Sequence, residues 1–84
     1  MNQEAVVWEE VGLQGRYANC FRVGYNAFEF MVDFAQASSD HRVARLHTRI
    51  ILSPAYSRTL LELLVKSIGQ YEQAYGPIPE DHEG

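Results

Sequence analysis

The stretch AFEFMVDFAQ, residues 27–36, decides the fold of this chain. Successive side chains of a β-strand point to opposite faces of a sheet, so strict alternation indicates a strand with one buried face. One face of this stretch is apolar and the other is mixed: Phe28, Phe30, Val32 and Phe34 against Glu29, Met31, Asp33 and Ala35. The stretch therefore predicts the best-defined strand of an antiparallel sheet.

A hairpin is predicted where this strand meets the preceding one. Residues 16–23 also alternate, with Tyr17, Asn19, Phe21 and Val23 on one face. The intervening Gly24-Tyr25-Asn26 predicts a turn, in which glycine or asparagine supplies a positive φ. Residues 16–23 and 27–36 therefore form an antiparallel pair.

Residues 42–52 predict the next strand, after a polar loop at residues 37–41. Its alternation places Ala44, Leu46, Thr48, Ile50 and Leu52 on one face and Val43, Arg45, His47, Arg49 and Ile51 on the other. A weaker pattern in residues 6–13 predicts an additional first strand, which is separated from the rest by Gly12 and Gly15. The sheet is thus predicted to have three or four strands.

One long amphipathic helix is predicted to follow the strands. Ser53 is a preferred N-cap residue, and Pro54 at the first helical position loses no hydrogen bond. Gly76 and Pro77 end the pattern, so the helix covers residues 54–75, about 33 Å of length. Its apolar side chains recur at three- and four-residue steps, and this helix stripe consists of Leu60, Leu61, Leu64, Ile68, Tyr71 and Tyr75.

These elements predict an α+β fold in two layers, because a sheet face and a helix stripe that are both apolar bury one another. A single domain is expected over residues 16–78. It is preceded by an acidic N-terminal segment, residues 1–15, and followed by an acidic tail, residues 79–84. The apolar faces of the second and third strands are expected to cover the helix stripe.

Composition narrows the class of protein. The chain has 84 residues, of which 46% are hydrophobic, and this excludes a disordered chain. No apolar run reaches the ~18 residues of a membrane span, and the N-terminus lacks the basic region of a signal peptide. A single cysteine, Cys20, cannot form an internal disulfide, so we expect a cytoplasmic protein.

Charge and size together indicate a partner. The net charge of −4 divides into −3 for residues 1–15, +3 for residues 16–58 and −4 for residues 59–84. A chain this short buries only about 60–65% of its unfolded surface, so a second copy would add needed core. We therefore expect a homodimer.

The mixed face of the sheet is the candidate interaction face. It is predicted to bring acidic and basic residues of three strands together: Arg22, Glu29, Asp33, Arg45, His47 and Arg49. Cross-strand ion pairs would form there if the strands are neighbours. A face that is neither apolar nor fully polar suggests contact with a protein partner, most simply another copy.

Nucleic-acid binding is the alternative. Arg45, His47 and Arg49 form a basic stripe at strand spacing, and a two-stranded ribbon carrying such a stripe fits a DNA major groove. Acidic residues on the same predicted face and the net negative charge of the chain argue against this alternative. Aromatic residues of the strands could also stack on RNA bases, although the helix stripe needs them as core: Tyr17, Phe21, Tyr25, Phe28 and Phe30.

The sequence nominates no catalytic, cofactor or metal site, and we expect no enzyme. His41, His47 and His82 lie on a loop, a strand and the tail, without metal-ligand spacing. Cys20 has apolar neighbours and no evident base, which favours a buried thiol. Glu29 and Asp33 sit on a face whose arginines would keep carboxylates ionised.

A family resemblance is carried by an ordered series of short pieces: Tyr17-Ala18-Asn19, Val23, Glu29-Phe30, Asp33-Phe34, Arg49, Ser53-Pro54, Leu60-Leu61, Tyr71-Glu72 and Gly76-Pro77-Ile78. The series resembles a small prokaryotic family catalogued as domain of unknown function 3467, over about residues 16–78. The resemblance implies a small α+β protein without an established activity, some of whose relatives are associated with genes for RNA polymerase subunits. The order of a sheet before a long helix is also similar to SecB-type export chaperones, which makes a chaperone-type binding module a further alternative.

Overall fold

A computed structural model describes residues 5–80 of the chain. It contains three strands and one helix in the order β1 (Cys20–Tyr25), β2 (Phe30–Ala37), β3 (Ala44–Leu52) and α1 (Pro54–Tyr75). The strands form one antiparallel sheet in the order β1-β2-β3, so each strand is paired with its neighbour in sequence. The predicted α+β fold, with an antiparallel meander before a C-terminal helix, is confirmed.

The additional first strand is absent, because residues 6–13 form no strand in the described part of the chain. The strand predicted from residue 16 also begins later, at Cys20. Asn19 still continues the pairing, since its backbone N–H donates to the carbonyl oxygen of Ala35 (3.1 Å) and its Oδ1 accepts from the N–H of Ala37 (2.7 Å). The segment before Asn19 instead crosses to β3, where Arg16 and Tyr17 form hydrogen bonds with His47, and it does not extend β1.

The β1–β2 turn lies two residues further along than predicted, with Tyr25 opposite Phe30. Asn26 closes the turn with its side chain: Oδ1 accepts from the N–H of Phe28 (2.8 Å) and of Glu29 (3.0 Å). Because the amide replaces backbone partners, the turn needs no residue with positive φ. Gly24 accordingly lies within β1 with an ordinary φ.

Helix α1 spans the range expected from its end signals. Ser53 has an extended backbone (φ −67°, ψ 158°), and its Oγ accepts from the N–H of Tyr56 at 3.2 Å. At the other end, Gly76 adopts φ 94°, and its N–H donates to the carbonyl oxygen of Glu72 (2.9 Å). Both ends therefore satisfy backbone groups that a helix leaves without partners. In residues 5–80, no helix is long and apolar enough to cross a membrane.

A β-bulge in β3 changes which residues share a face. Phe34 pairs with Thr48 and Ala35 pairs with Leu46, so His47 is an extra residue opposite the Phe34/Ala35 step. An extra residue reverses the alternation of the strand on one side of the bulge. From Thr48 onward β3 keeps the predicted faces, whereas before His47 the two faces are exchanged.

The register defines the two faces of the sheet. The apolar sheet face consists of Phe21, Val23, Tyr25, Phe30, Val32, Phe34, Ile50 and Leu52. The mixed sheet face consists of Cys20, Arg22, Met31, Asp33, Ala35, Leu46, Arg49 and Ile51. Strands β1 and β2 keep the predicted faces, and only β3 departs from them.

The expected covering of the helix stripe by the sheet does not occur within one chain. Among residues 5–80 only Asp33 and Ala35 are buried, and no residue of α1 is. The helix meets the sheet chiefly at β3, from which it leaves at Ser53. The two elements thus stand side by side with their apolar surfaces open, and one chain holds almost no core.

Candidate functional site

Three charged side chains meet at the centre of the mixed sheet face. Asp33 lies in the central strand, directly opposite Arg22 of β1 and Arg49 of β3. Its Oδ2 accepts from Arg22 Nε (3.0 Å) and Nη2 (2.8 Å). Arg49 Nε donates to Oδ1 (2.8 Å) and Arg49 Nη2 to Oδ2 (3.1 Å). One carboxylate therefore joins all three strands through two guanidinium groups.

Asp33 is held in the ionised form. The residue is 1% exposed, and a buried carboxylate needs partners of this kind to remain charged. The hydrogen bonds from Arg49 and Arg22 lower the pKa of Asp33 from 3.8 to about 2, against the opposing effect of burial. The same contact with Asp33 raises the pKa of Arg49. A carboxylate that stays ionised and is already saturated with donors is unsuited to general acid–base work near neutral pH.

The two arginines extend from this buried centre to the surface. Their side chains remain 67% exposed in Arg22 and 48% exposed in Arg49. The cluster carries a net charge of +1 at neutral pH, because one carboxylate faces two guanidinium groups. Apolar side chains of the mixed sheet face, Met31 and Ile51, pair across the same strands. Arginine and methionine are both enriched in protein–protein interfaces.

Glu29 is not part of this cluster, which corrects the sequence prediction. It lies in the β1–β2 turn rather than in the strand, and its N–H donates to Asn26 Oδ1. Strand β2 begins only at Phe30, so Glu29, four residues before Asp33, does not lie in the sheet. The prediction that Glu29 and Asp33 share one face of a strand is therefore wrong.

Arg45 and His47 are also separated from Arg49, and the predicted basic stripe is broken. The bulge places Arg45 opposite Gln36, on the side of Phe34 rather than of Asp33. The His47 ring follows the same side, where its Nε2 donates to the carbonyl oxygen of Tyr17 (2.9 Å) and its Nδ1 lies 2.7 Å from Thr48 Oγ1. Of the six predicted residues, Arg22, Asp33 and Arg49 come together, and the other three do not.

Arg45 and His47 instead contribute to a second basic site, the basic pocket. This pocket of about 540 Å³ lies at the loop end of the sheet and is lined by Arg16, Tyr17, Ser38, Arg45 and His47, among others. Arg16 Nη1 donates to the carbonyl oxygen of His47 (3.0 Å) and thereby fixes the segment before β1 onto β3. No acidic residue lines the pocket. It is therefore a concave, positively charged surface on an acidic chain.

Arg16 was missed as a site residue because residues 16–19 were predicted to lie in the plane of the sheet. A segment that crosses the sheet without pairing as a strand has no regular alternation of apolar residues, so its sequence does not identify it. The sequence offers one cue, since two glycines three residues apart, Gly12 and Gly15, disfavour continuous strand pairing up to Arg16.

An apolar groove lies between the sheet and the first turns of α1. Its volume is about 660 Å³, and it is lined by the apolar sheet face and the helix stripe, including Val32, Leu52, Leu60 and Leu64. It is open, and its lining side chains are half-buried or exposed. The groove can take an apolar partner surface.

The remaining candidate residues, the histidines and Cys20, lie in different parts of the chain. In the described range, no group of three His, Cys, Asp or Glu side chains could hold a metal ion. His41 lies in the β2–β3 loop, His47 lies on β3, and His82 falls outside the described residues. Cys20 is a half-buried free thiol at the start of β1.

The comparisons with known proteins identify the family. A family model described as "Protein of unknown function (DUF3467)" matches residues 1–80 of the chain. No curated protein and no solved structure matches it. The chain therefore belongs to the DUF3467 family, as its sequence resemblance indicated.

Proposed function

We propose, starting from this membership of the DUF3467 family, that the protein is a homo-oligomeric interaction module that acts by binding rather than by catalysis. One observation carries the proposal: within residues 5–80, a single chain leaves most of its large apolar side chains exposed and buries none of them fully. We place the module in the cytoplasm, because its one thiol cannot form an internal disulfide.

The size of the uncovered surface supports assembly. The chain exposes 7824 Å². A compact protein of 9.6 kDa exposes about 5,100 Å², so the excess is about 2,700 Å². Each subunit of an obligate dimer contributes about 1,000–2,500 Å² to its interface. The excess is thus large enough for an obligate interface with surface to spare for a further partner.

Two apolar surfaces are available for that interface. The apolar sheet face and the helix stripe belong to one chain but scarcely cover one another. A second copy carries the same two surfaces, so a two-fold arrangement lets each copy cover the other. The apolar groove between α1 and the sheet is where such a copy would enter.

The mixed sheet face supports the second part of the proposal, contact with a protein partner. Arg22 and Arg49 present guanidinium donors beside Met31 and Ile51, and arginine is enriched at protein interfaces. Nucleic acid is the less favoured partner for this face. The two arginines share the Asp33 carboxylate, and phosphate contacts need more cations than the remaining +1 charge supplies.

Light scattering coupled to size-exclusion chromatography tests the assembly. We expect a mass of at least twice 9.6 kDa for the natural chain. Leu64→Asp, which puts a charge into the helix stripe, should reduce the mass to that of one chain or leave the chain unfolded. Gln70→Asp, which lies outside the stripe, is the matched control and should keep the mass. A folded monomer of the natural chain would contradict the proposal and leave the apolar groove to a foreign chain, as in a chaperone.

Affinity capture tests the mixed sheet face. Ile51→Lys changes an exposed residue of that face, which is 52% accessible, and should leave the oligomer intact. We expect a protein that is retained by the natural chain and by Gln70→Asp to be lost with Ile51→Lys. Equal retention by all three chains would show that this face is not the contact surface.

A further inference from the structure

The segment before Gln14 is exposed along the whole of its described length. This arm, residues 5–13, forms no strand, and its apolar side chains are exposed, including Val7 (86%) and Trp8 (72%). It starts beside β3, because Arg16 donates to the carbonyl oxygen of His47 and Gln14 lines a pocket together with Thr48. At about 3.3 Å per residue, nine extended residues span about 30 Å, which is enough to cross a neighbouring subunit.

The arm and the basic pocket have opposite charges. The arm carries Glu9 and Glu10, both exposed and adjacent to Trp8. The pocket carries Arg16 and Arg45, and the ion pairs in the described part of the chain involve other arginines, Arg22 and Arg49. An exposed acidic segment and a basic pocket without acids are complementary surfaces on the same molecule.

We propose that the arm of one copy docks into the basic pocket of a second copy, with Glu9 and Glu10 facing Arg16 and Arg45. This inference rests on the proposed homo-oligomer and assigns it a specific contact. The exchange is reciprocal, because a two-fold interface brings each arm to the other copy's pocket. Tyr17 and Val43 line the same pocket and offer apolar surface to Trp8.

Contact within one chain is the alternative, and the structure disfavours it. No residue of the arm lines the pocket of its own chain. Arg16 holds the base of the arm against β3 through the carbonyl of His47, and Gln14, the residue next to the arm, lines a different pocket with Phe34 and Thr48. Docking of the arm into a second copy pairs the same acidic and basic residues, and the arm does not have to turn back toward its own chain.

Trp8 is the only tryptophan, so its fluorescence reports the arm alone. In the natural chain we expect Trp8 to be shielded from acrylamide and its emission to lie toward the blue. Arg45→Glu should remove this protection, and high salt should weaken it. Lys66→Glu, the same reversal of charge on α1 at an exposed residue outside the helix stripe and the pocket, is the matched control and should leave Trp8 protected.

A mixing experiment distinguishes exchange between copies from contact within one. The variant Glu9→Arg/Glu10→Arg has a positive arm and a positive pocket, and Arg16→Glu/Arg45→Glu has a negative arm and a negative pocket. Each alone should lose the protection of Trp8. After the two are unfolded and refolded together, a mixed oligomer pairs opposite charges and should regain it. Contact within one chain cannot be restored by mixing.

The outcomes separate this inference from the proposed function. If the natural chain is an oligomer but Trp8 is equally accessible in every variant, or mixing restores nothing, the arm contact is wrong and the oligomer stands. If the natural chain is a monomer, both fail. Co-purified nucleic acid that is lost with Arg45→Glu would assign the pocket to phosphate and overturn the arm contact.

Discussion

Asp33 is the one charged residue that the described chain buries, and its position explains how this is tolerated. In the central strand it has a neighbour on each side, and both neighbours are arginines. Burial of a lone carboxylate is costly, whereas here four hydrogen bonds from two guanidinium groups satisfy both oxygens. The residue therefore fixes the register of three strands, because a shift of either neighbour would leave the charge without its partner.

Acid should weaken the fold through Asp33. The pKa of Asp33 is about 2 in the folded chain and 3.8 in its ordinary state, so the unfolded chain binds the proton more readily. The stability from the cluster is complete above the ordinary value and is lost as the pH falls from there through about 2. Urea unfolding at constant protein concentration, measured from about pH 5 down to about pH 2, checks this.

Asp33→Asn is the test variant for that pH dependence. It should be less stable at neutral pH and should lack the part of the acid-induced loss that Asp33 causes. The pKa of Asp40 is also lowered, by hydrogen bonds from Ser38 and from the N–H of Arg42, so Asp40→Asn serves as a control that keeps the Asp33 contribution. Parallel pH profiles for Asp33→Asn and the natural chain would disprove the assignment.

The contrast between Arg49 and Arg45 shows which site residues a sequence can predict. Regular alternation puts Arg22, Asp33 and Arg49 on one face, and neighbouring strands then bring them into contact. The sheet face predicted for Arg45 is wrong because the bulge inserts one residue, His47, into β3. The alternation of the sequence looks regular on both sides of this residue. Apolar periodicity carries no information about such an insertion, since the residues around it fit either phase.

Among the elements, α1 is the best predicted because its ends are fixed by local chemistry. The Ser53 side chain and the Gly76 backbone satisfy terminal groups of the helix within a few residues of sequence. The strand ends depend on partners that are distant in sequence, so β1 and β2 begin later than their alternation indicated. The residues before β1 could not be placed, because their hydrogen bonds go to β3, about thirty residues away.

Removal of the N-cap should destabilise the helix. Ser53→Ala deletes the oxygen that accepts from the N–H of Tyr56, and such losses cost about 1 kcal/mol of unfolding free energy. Ser53→Asp should retain most of the stability, because aspartate is an equally good cap. Chemical denaturation at fixed protein concentration measures both.

Ser67→Ala is the matched control for the cap. The Ser67 hydroxyl donates to the carbonyl oxygen of Leu63 within the helix, so its loss leaves no terminal group without a partner. We expect little change or a small gain, since alanine is the better helix former. Equal losses for Ser53→Ala and Ser67→Ala would mean that the cap contributes nothing specific.

At the scale of the whole molecule, one chain is less compact than a typical domain of its length. Its radius of gyration is 15.3 Å, whereas a compact chain of this length has about 12 Å. The sequence predicts which side chains are apolar and which face they share, and these faces are confirmed in β1 and β2. It does not reveal whether the surface that covers them belongs to the same chain. The hydrophobic pattern is the same for a monomer core and for an interface. The sequence therefore predicted that the sheet covers the helix stripe, and within one chain it does not.

The bulge at His47 divides β3 into two independent halves. On the helix side of His47, Ile50 and Leu52 lie on the apolar sheet face, and Leu52 lines the apolar groove. On the loop side, the reversed phase turns Arg45 toward the basic pocket and Leu46 toward Asp33. Deletion of one residue here would move each side chain of the loop half to the opposite face of the sheet. The side chains of the helix half would keep their faces. A single inserted residue can thus change the surface around the basic pocket without changing the surface around the apolar groove.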